Sequence, residues 1–228
     1  MHQGVRWLVF LTTVGSISIT LAADQADDVD PGDPVRPLSQ CAAILADDGM
    51  SVSLRKKGYF DATLFDELQH ACILYAHDKD KTLVTVKIAT EIEDEPTLYL
   101  ECLTMNEIHL SACIKSEEHF NLSEAFIPYC NEFGSAVREN APRPFLVMNE
   151  IPRLKIENLP NILGPQDQKQ LFVELVSAVY VLHDLDWSHN NLDGKNVVLK
   201  LPRARRHPLQ MTVIGFSAAT PLSEATTW

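Results

Sequence analysis

The apolar positions of this chain fall into a few runs whose spacing predicts most of its elements. Thr82-Leu83-Val84-Thr85-Val86-Lys87-Ile88-Ala89 reads as a buried strand ending in a polar tip, and Phe145-Leu146-Val147-Met148 as a second short apolar strand. Across residues 98–114 apolar side chains recur at helical spacing. Residues 167–184 carry the strongest helical signal, with Leu171, Phe172, Leu175, Val176, Val179 and Leu182 forming one wide stripe. Asn196-Val197-Val198-Leu199 and Met211-Thr212-Val213-Ile214 predict a strand pair joined by a long basic connection. Regular patterning begins near Leu54, and no internal repeat is present.

Two segments precede that pattern. Arg6 is followed by an apolar run opening at Trp7 and closing on Leu21-Ala22-Ala23 before the acidic Asp24, the layout of a cleaved secretory signal. A signal anchor needs about 20 strongly apolar residues, and Thr12, Thr13, Ser16, Ser18 and Thr20 dilute this run. The expectation is a signal peptide over residues 1–23 and a secreted or lumenal protein with no stable membrane insertion after cleavage. Residues 24–53 open with eight closely spaced breakers and acids (Asp24, Asp27, Asp28, Asp30, Pro31, Gly32, Asp33, Pro34) and are expected to be an acidic mobile extension.

Composition narrows the partners. The chain has 228 residues, 46% hydrophobic and 22% charged, as a folded protein of one or two domains does. Its 19 basic and 31 acidic residues give a net charge of −12, which repels nucleic acid and anionic lipid and leaves proteins or small ligands. Five cysteines, Cys41, Cys72, Cys102, Cys113 and Cys130, favour disulfides in an oxidising compartment. Their odd number leaves at least one unpaired or bonded to another chain. Cys102 and Cys113 lie 11 residues apart on one expected helix; at about 1.5 Å per residue they are ~16 Å apart, beyond the roughly 7 Å reach of a bridge, and should not pair. No CxxC pair is present, which argues against structural zinc. Asn121-Leu122-Ser123 is the only glycosylation sequon and makes Asn121 a candidate glycan site.

Four motifs in order carry a resemblance. Val84-Thr85-Val86-Lys87 is similar to the V-A-I-K strand of protein kinases, and Glu107, 20 residues on, falls where that family's helix glutamate pairs with the lysine. Phe145-Leu146-Val147-Met148-Asn149-Glu150 is similar to the strand entering the hinge, with Met148 in the gatekeeper place. Val181-Leu182-His183 ends the long helix as the family's often does. Ser188-His189-Asn190-Asn191-Leu192-Asp193-Gly194-Lys195-Asn196 aligns with H-R-D-L-x-x-x-N, and Val213-Ile214-Gly215-Phe216-Ser217 falls on the strand and D-F-G. The resemblance spans residues 54–219.

The departures are as specific as the matches. The place of the family's glycine-rich loop falls on residues 66–73, where Asp66, Leu68 and Ala71 replace the glycines. The catalytic aspartate becomes Asn191, whose amide cannot take a hydroxyl proton near neutral pH. Asn190 replaces the arginine, and Gly215 replaces the aspartate that holds magnesium. Lys87, Glu107 and Asn196 survive as a vestigial nucleotide cleft with weak or no binding. The chain also stops 13 residues after Gly215, so a large lobe of this kind is truncated. The reading is of a fragment, or of a short form needing a partner, in which part of the 171–182 stripe faces water.

Three further features have plainer readings. His183, Asp184, Asp186 and His189 crowd together but read as a helix-end and a loop histidine, with no metal site. Arg203-Ala204-Arg205-Arg206 matches a convertase pattern but reads as a solvated connection. Asp193, two residues from Asn191, reads as a loop carboxylate instead of a displaced base.

The resulting expectation is an α+β, kinase-like bilobal fold: an antiparallel small lobe over residues 54–150 and a truncated, mainly helical large lobe over 151–228. The resemblance implies a secreted pseudokinase that uses no cofactor and acts as a scaffold or allosteric partner of other proteins, an active kinase among them. A signal peptide joined to a degenerate kinase domain resembles the rhoptry and related families of apicomplexan parasites. The alternatives are an atypical secreted kinase using Lys87, Asn196 and Asp193, and a secreted domain unrelated to kinases.

Overall fold

The computed structural model describes residues 39–68, 70–138, 141–152, 154–156, 164–200 and 210–223. The expected signal peptide, the acidic residues up to 38 and the basic connection at 203–206 lie outside the described residues.

Alternation along the strands explains the layering. Five antiparallel strands, β1 (Phe60–Glu67), β2 (Ala71–His77), β3 (Leu83–Ala89), β4 (Cys130–Arg138) and β5 (Ala141–Asn149), form a sheet in the order β1-β2-β3-β5-β4. The strand expected around Val86 is β3, and Val86 sits opposite Val147 of β5. Because successive side chains point to opposite faces, Val84, Val86 and Ile88 join one core with Leu74, Phe145 and Val147. Ile73, Tyr75, Ala89, Leu146 and Met148 join the other.

The first core is roofed by two helices that the sequence pattern does not announce. α1 (Gln40–Ala46) and α2 (Asp48–Lys56) bury Cys41, Ile44, Met50 and Leu54 against the sheet. Ser39 and Asp47 cap them, accepting hydrogen bonds from the Ala42 and Gly49 N–H groups. The expectation of a mobile extension reaching residue 53 is thus corrected. Four buried side chains at helical spacing and a Cys41–Cys72 disulfide, with Cα atoms 5.5 Å apart, tie this stretch to β2.

The second core lies between the sheet and a helical half. α3 (Glu95–Lys115) crosses the sheet, followed by α4 (Glu117–Phe126) and, beyond a connector at residues 150–152, α5 (Pro165–Asp184). β6 (Leu154–Lys155), β8 (Val197–Lys200) and β9 (Gln210–Val213) form a small antiparallel sheet, and β7 (Trp187–Ser188) pairs with β10 (Thr220–Pro221). Val197 opposite Val213 is the expected strand pair. The α5 stripe divides: Leu171, Leu175 and Leu182 face the core, whereas Phe172, Val173, Val176 and Tyr180 are about half exposed.

Cys102 of α3 is bonded to Cys130 of β4, and Cys113 is exposed and unbonded, so Cys102 and Cys113 do not pair, as their spacing requires. Two disulfides suit an oxidising compartment. Among the described residues no helix is long and apolar enough to cross a membrane.

Candidate functional site

Lys87 stands on β3 opposite Leu146 and Ile73, and its side chain turns towards α3. Its Nζ lies 2.6 Å from Glu101 Oε2, with Lys87 8% and Glu101 2% exposed. The sequence expectation named Glu107 as this partner, and the structure corrects it. Leu98, Glu101, Met105, Ile108 and Ala112 follow one another at intervals of three and four and line the buried face of α3. Glu107 sits on the opposite, exposed face with Leu103 and Leu110. The Cys102–Cys130 bond holds the helix one residue from Glu101, which fixes the glutamate over the lysine.

The loop after β7 lies near this pair, since Glu101 acts electrostatically on His189. His189 is buried, donates from Nε2 to the Ile214 carbonyl at 3.0 Å, and accepts at Nδ1 from the Asn191 N–H at 3.3 Å. Its ring meets the buried Phe216 edge-on, centroids 4.8 Å apart. Burial pushes the His189 pKa down from its ordinary value; the Ile214 carbonyl and the nearby Glu101 and Asp193 carboxylates act against this. Asn190, at a φ of 59°, spans to the Ala218 carbonyl and Thr220 Oγ1, closing the loop onto the segment after Gly215.

Asn191, Asn196 and Gly215 are brought together. Asn196 Nδ2 donates to the Asn191 carbonyl at 2.8 Å, and Asn196 accepts from the Ile214 N–H at 2.9 Å. Gly215 has a left-handed backbone with φ 81°, and a Cβ built there would meet Asn196 Oδ1 at 2.5 Å. The asparagine therefore occupies the space a side chain at 215 would need. Asp193, the one carboxylate of this loop, caps the turn Gly194–Asn196 by accepting from the Lys195 and Asn196 N–H groups. Its Oδ1 is committed to the backbone.

The ends of β1 and β2 are tied down. Asp66 near the end of β1 lies opposite Ile73 of β2, and the Leu68 N–H donates to the Ala71 carbonyl at 2.8 Å. Cys72 is bonded to Cys41, the His70 carbonyl accepts from the Thr90 N–H at 3.1 Å, and His70 Nδ1 lies 3.4 Å from Asp94.

Sequence reasoning missed a further pair of residues. At the connector, Thr85 Oγ1 accepts from the Ile151 N–H at 3.1 Å, and the Tyr75 hydroxyl donates to the Ile151 carbonyl at 3.1 Å. Tyr75 is buried and packs on the Phe65 ring at 4.9 Å. Both Ile151 backbone groups are thus bonded to side chains of the sheet. The signal was the hydroxyl of Thr85 inside an apolar strand, since a buried hydroxyl requires a partner.

Of the remaining expected site residues, Asn121 is exposed on α4 while Ser123 of its sequon is fully buried against His109. Asp184 binds His119 Nε2 at 2.6 Å and Lys115 at 2.8 Å. Among the described residues no three His, Cys, Asp or Glu side chains gather as a metal site. A cavity of about 370 Å³ behind the connector is lined by Glu124, Glu150 and Glu174 together with Phe126 and Met211, and its three carboxylates disfavour phosphates. No protein-family model matches the chain, and no curated protein matches it in sequence.

Proposed function

We propose that the chain is a secreted, catalytically inactive kinase-like protein, a pseudokinase, that acts by binding other proteins as a scaffold or allosteric partner. The observation that carries this reading is the buried Lys87–Glu101 pair, taken with a loop in which Asn191 and Gly215 fall where the resemblance would put a base and a metal carboxylate. Phosphoryl transfer rests on positioning and on neutralising charge through metal ions. The lysine half of that apparatus is present and the carboxylate half is not. Asn196 is a neutral, weak ligand for a hard cation.

Four further observations support the reading. The sheet order with α3 laid across it, and His189 joining Ile214 and Phe216, suit the resemblance. The hairpin that would cover phosphates carries a disulfide where flexible backbone is required. The Tyr75 and Thr85 bonds to Ile151 occupy the connector from within. The half-exposed apolar face of α5 offers a surface to a protein partner.

A phosphotransfer assay on purified full-length protein with magnesium and manganese ATP tests the catalytic half of the proposal. The expected result is no incorporation above that of Lys87→Ala. Incorporation that is abolished by Lys87→Ala would favour the atypical kinase instead.

A further inference from the structure

At the start of α3 an open notch of about 570 Å³ lies between the helix and β4. It is lined by Ile92, Pro96, Tyr99 and Phe133 and by two glutamates, Glu93 and Glu95. The Tyr99 and Phe133 rings meet edge to face, with centroids 5.3 Å apart and planes at 68°, and Tyr99 is 52% exposed. Both glutamates are exposed, and among the described residues neither carboxylate has a hydrogen bond or an ion pair. Arg143 is bonded instead to Glu91 and to the Thr90 carbonyl. The Cys102–Cys130 disulfide joins the two walls: Cys102 lies three residues after Tyr99 on α3, and Cys130 three residues before Phe133 on β4. The two rings are thus carried on covalently linked elements, which lowers the ordering cost of binding.

The lining selects its occupant by chemistry. An anion would meet two unpaired carboxylates. A purely apolar group would cover the rings only by desolvating those carboxylates without pairing them. A lysine ammonium is a compact, strongly hydrated charge, whereas a guanidinium is planar, weakly hydrated, stacks on aromatic faces and binds carboxylates through paired N–H groups. Its aliphatic stem suits Ile92 and Pro96. We propose that this notch binds an arginine side chain from a basic segment of a partner protein, with the guanidinium against the Tyr99 and Phe133 rings and donating to Glu93 and Glu95. The net charge of −12 draws such a partner in. The inference deepens the protein-binding half of the proposed function, yet the site stands on these side chains alone. Phosphotransfer tests that function, and peptide titration tests this site.

The test is fluorescence anisotropy of the full-length, disulfide-bonded protein with a labelled Ala-Arg-Ala-Arg-Ala peptide, beside the same peptide carrying lysine or citrulline in place of arginine. Citrulline keeps the shape and loses the charge. The arginine peptide should bind about tenfold more tightly than either. Tyr99→Leu, which keeps an apolar side chain and loses the ring, should weaken binding about tenfold, and so should Glu93→Gln combined with Glu95→Gln. Glu117→Gln combined with Glu118→Gln removes the same charge from the exposed first turn of α4 and should change binding by less than about twofold. All five positions are exposed, so the circular dichroism spectrum should be unchanged. Absence of binding to the wild-type protein overturns the proposal, as does a lysine peptide bound as tightly as the arginine one. Undiminished binding by Tyr99→Leu, or an equal loss in the two glutamine pairs, overturns it as well, because either result means diffuse charge attraction.

Discussion

Glu101→Ala should destabilise the protein far more than Glu107→Ala, and the contrast measures the buried ion pair directly. Lys87 and Glu101 are 2.6 Å apart and only 8% and 2% exposed, so removing the carboxylate leaves an ammonium group charged, desolvated and unpaired. Breaking such a pair from one side costs about 3–5 kcal/mol. In a domain of this size 1 kcal/mol moves Tm by about 2–4 °C, so the expected loss is roughly 6–20 °C. Glu107 is exposed on the far side of α3, and its removal should stay within about 0.5 kcal/mol. The double variant Lys87→Met with Glu101→Leu should recover much of the loss, because the charge and its partner leave together. Thermal and urea unfolding followed by circular dichroism supply the comparison. Equal midpoints for Glu101→Ala and Glu107→Ala would refute the placement of α3.

Replacing Cys102 and Cys130 together by serine removes a cross-link between residues 28 apart in sequence, and should cost about 3–4 kcal/mol by urea denaturation. Burial lowers the pKa of His109 and His189 in the folded chain, so below about pH 6.5 the unfolded chain takes up protons more readily than the folded one. Stability should therefore fall as pH drops from 7.5 to 5.5, by at most about 1.4 kcal/mol per unit per histidine, and a flat Tm over that range would contradict this. Gly215→Asp must fit a Cβ 2.5 Å from Asn196 Oδ1 on a left-handed backbone; it should lose about 1–3 kcal/mol and gain no phosphotransfer. Asn191→Asp should likewise remain inactive, since it restores a base without a metal ligand.

The strands and long helices were legible because their apolar runs have one dominant period: β3, β5, α3 and α5 fall where the pattern puts them. α1 and α2 were not, because they follow an acidic stretch and bury only Cys41, Ile44, Met50 and Leu54, spaced across two short helices broken at Asp47. The site was half legible. Lys87, Asn191, Asn196 and Gly215 are local in the chain and carry their spacing with them. The lysine's partner is set by the rotation of a helix, and a motif count of 20 residues cannot supply that. A helical wheel anchored on Leu98, Met105 and Ile108 would have selected Glu101 over Glu107, because it places Glu101 on the buried face. The Thr85 and Tyr75 bonds to Ile151 join residues 66 and 76 apart and depend on the fold as a whole.

The central claim, a lysine–glutamate pair kept in a cleft that no longer handles nucleotide, is tested most directly by the melting temperature of the full-length protein with ATP, with and without magnesium. The account predicts no metal-dependent shift, in wild type and in Lys87→Ala alike. A magnesium-dependent stabilisation of several degrees that disappears in Lys87→Ala would contradict it.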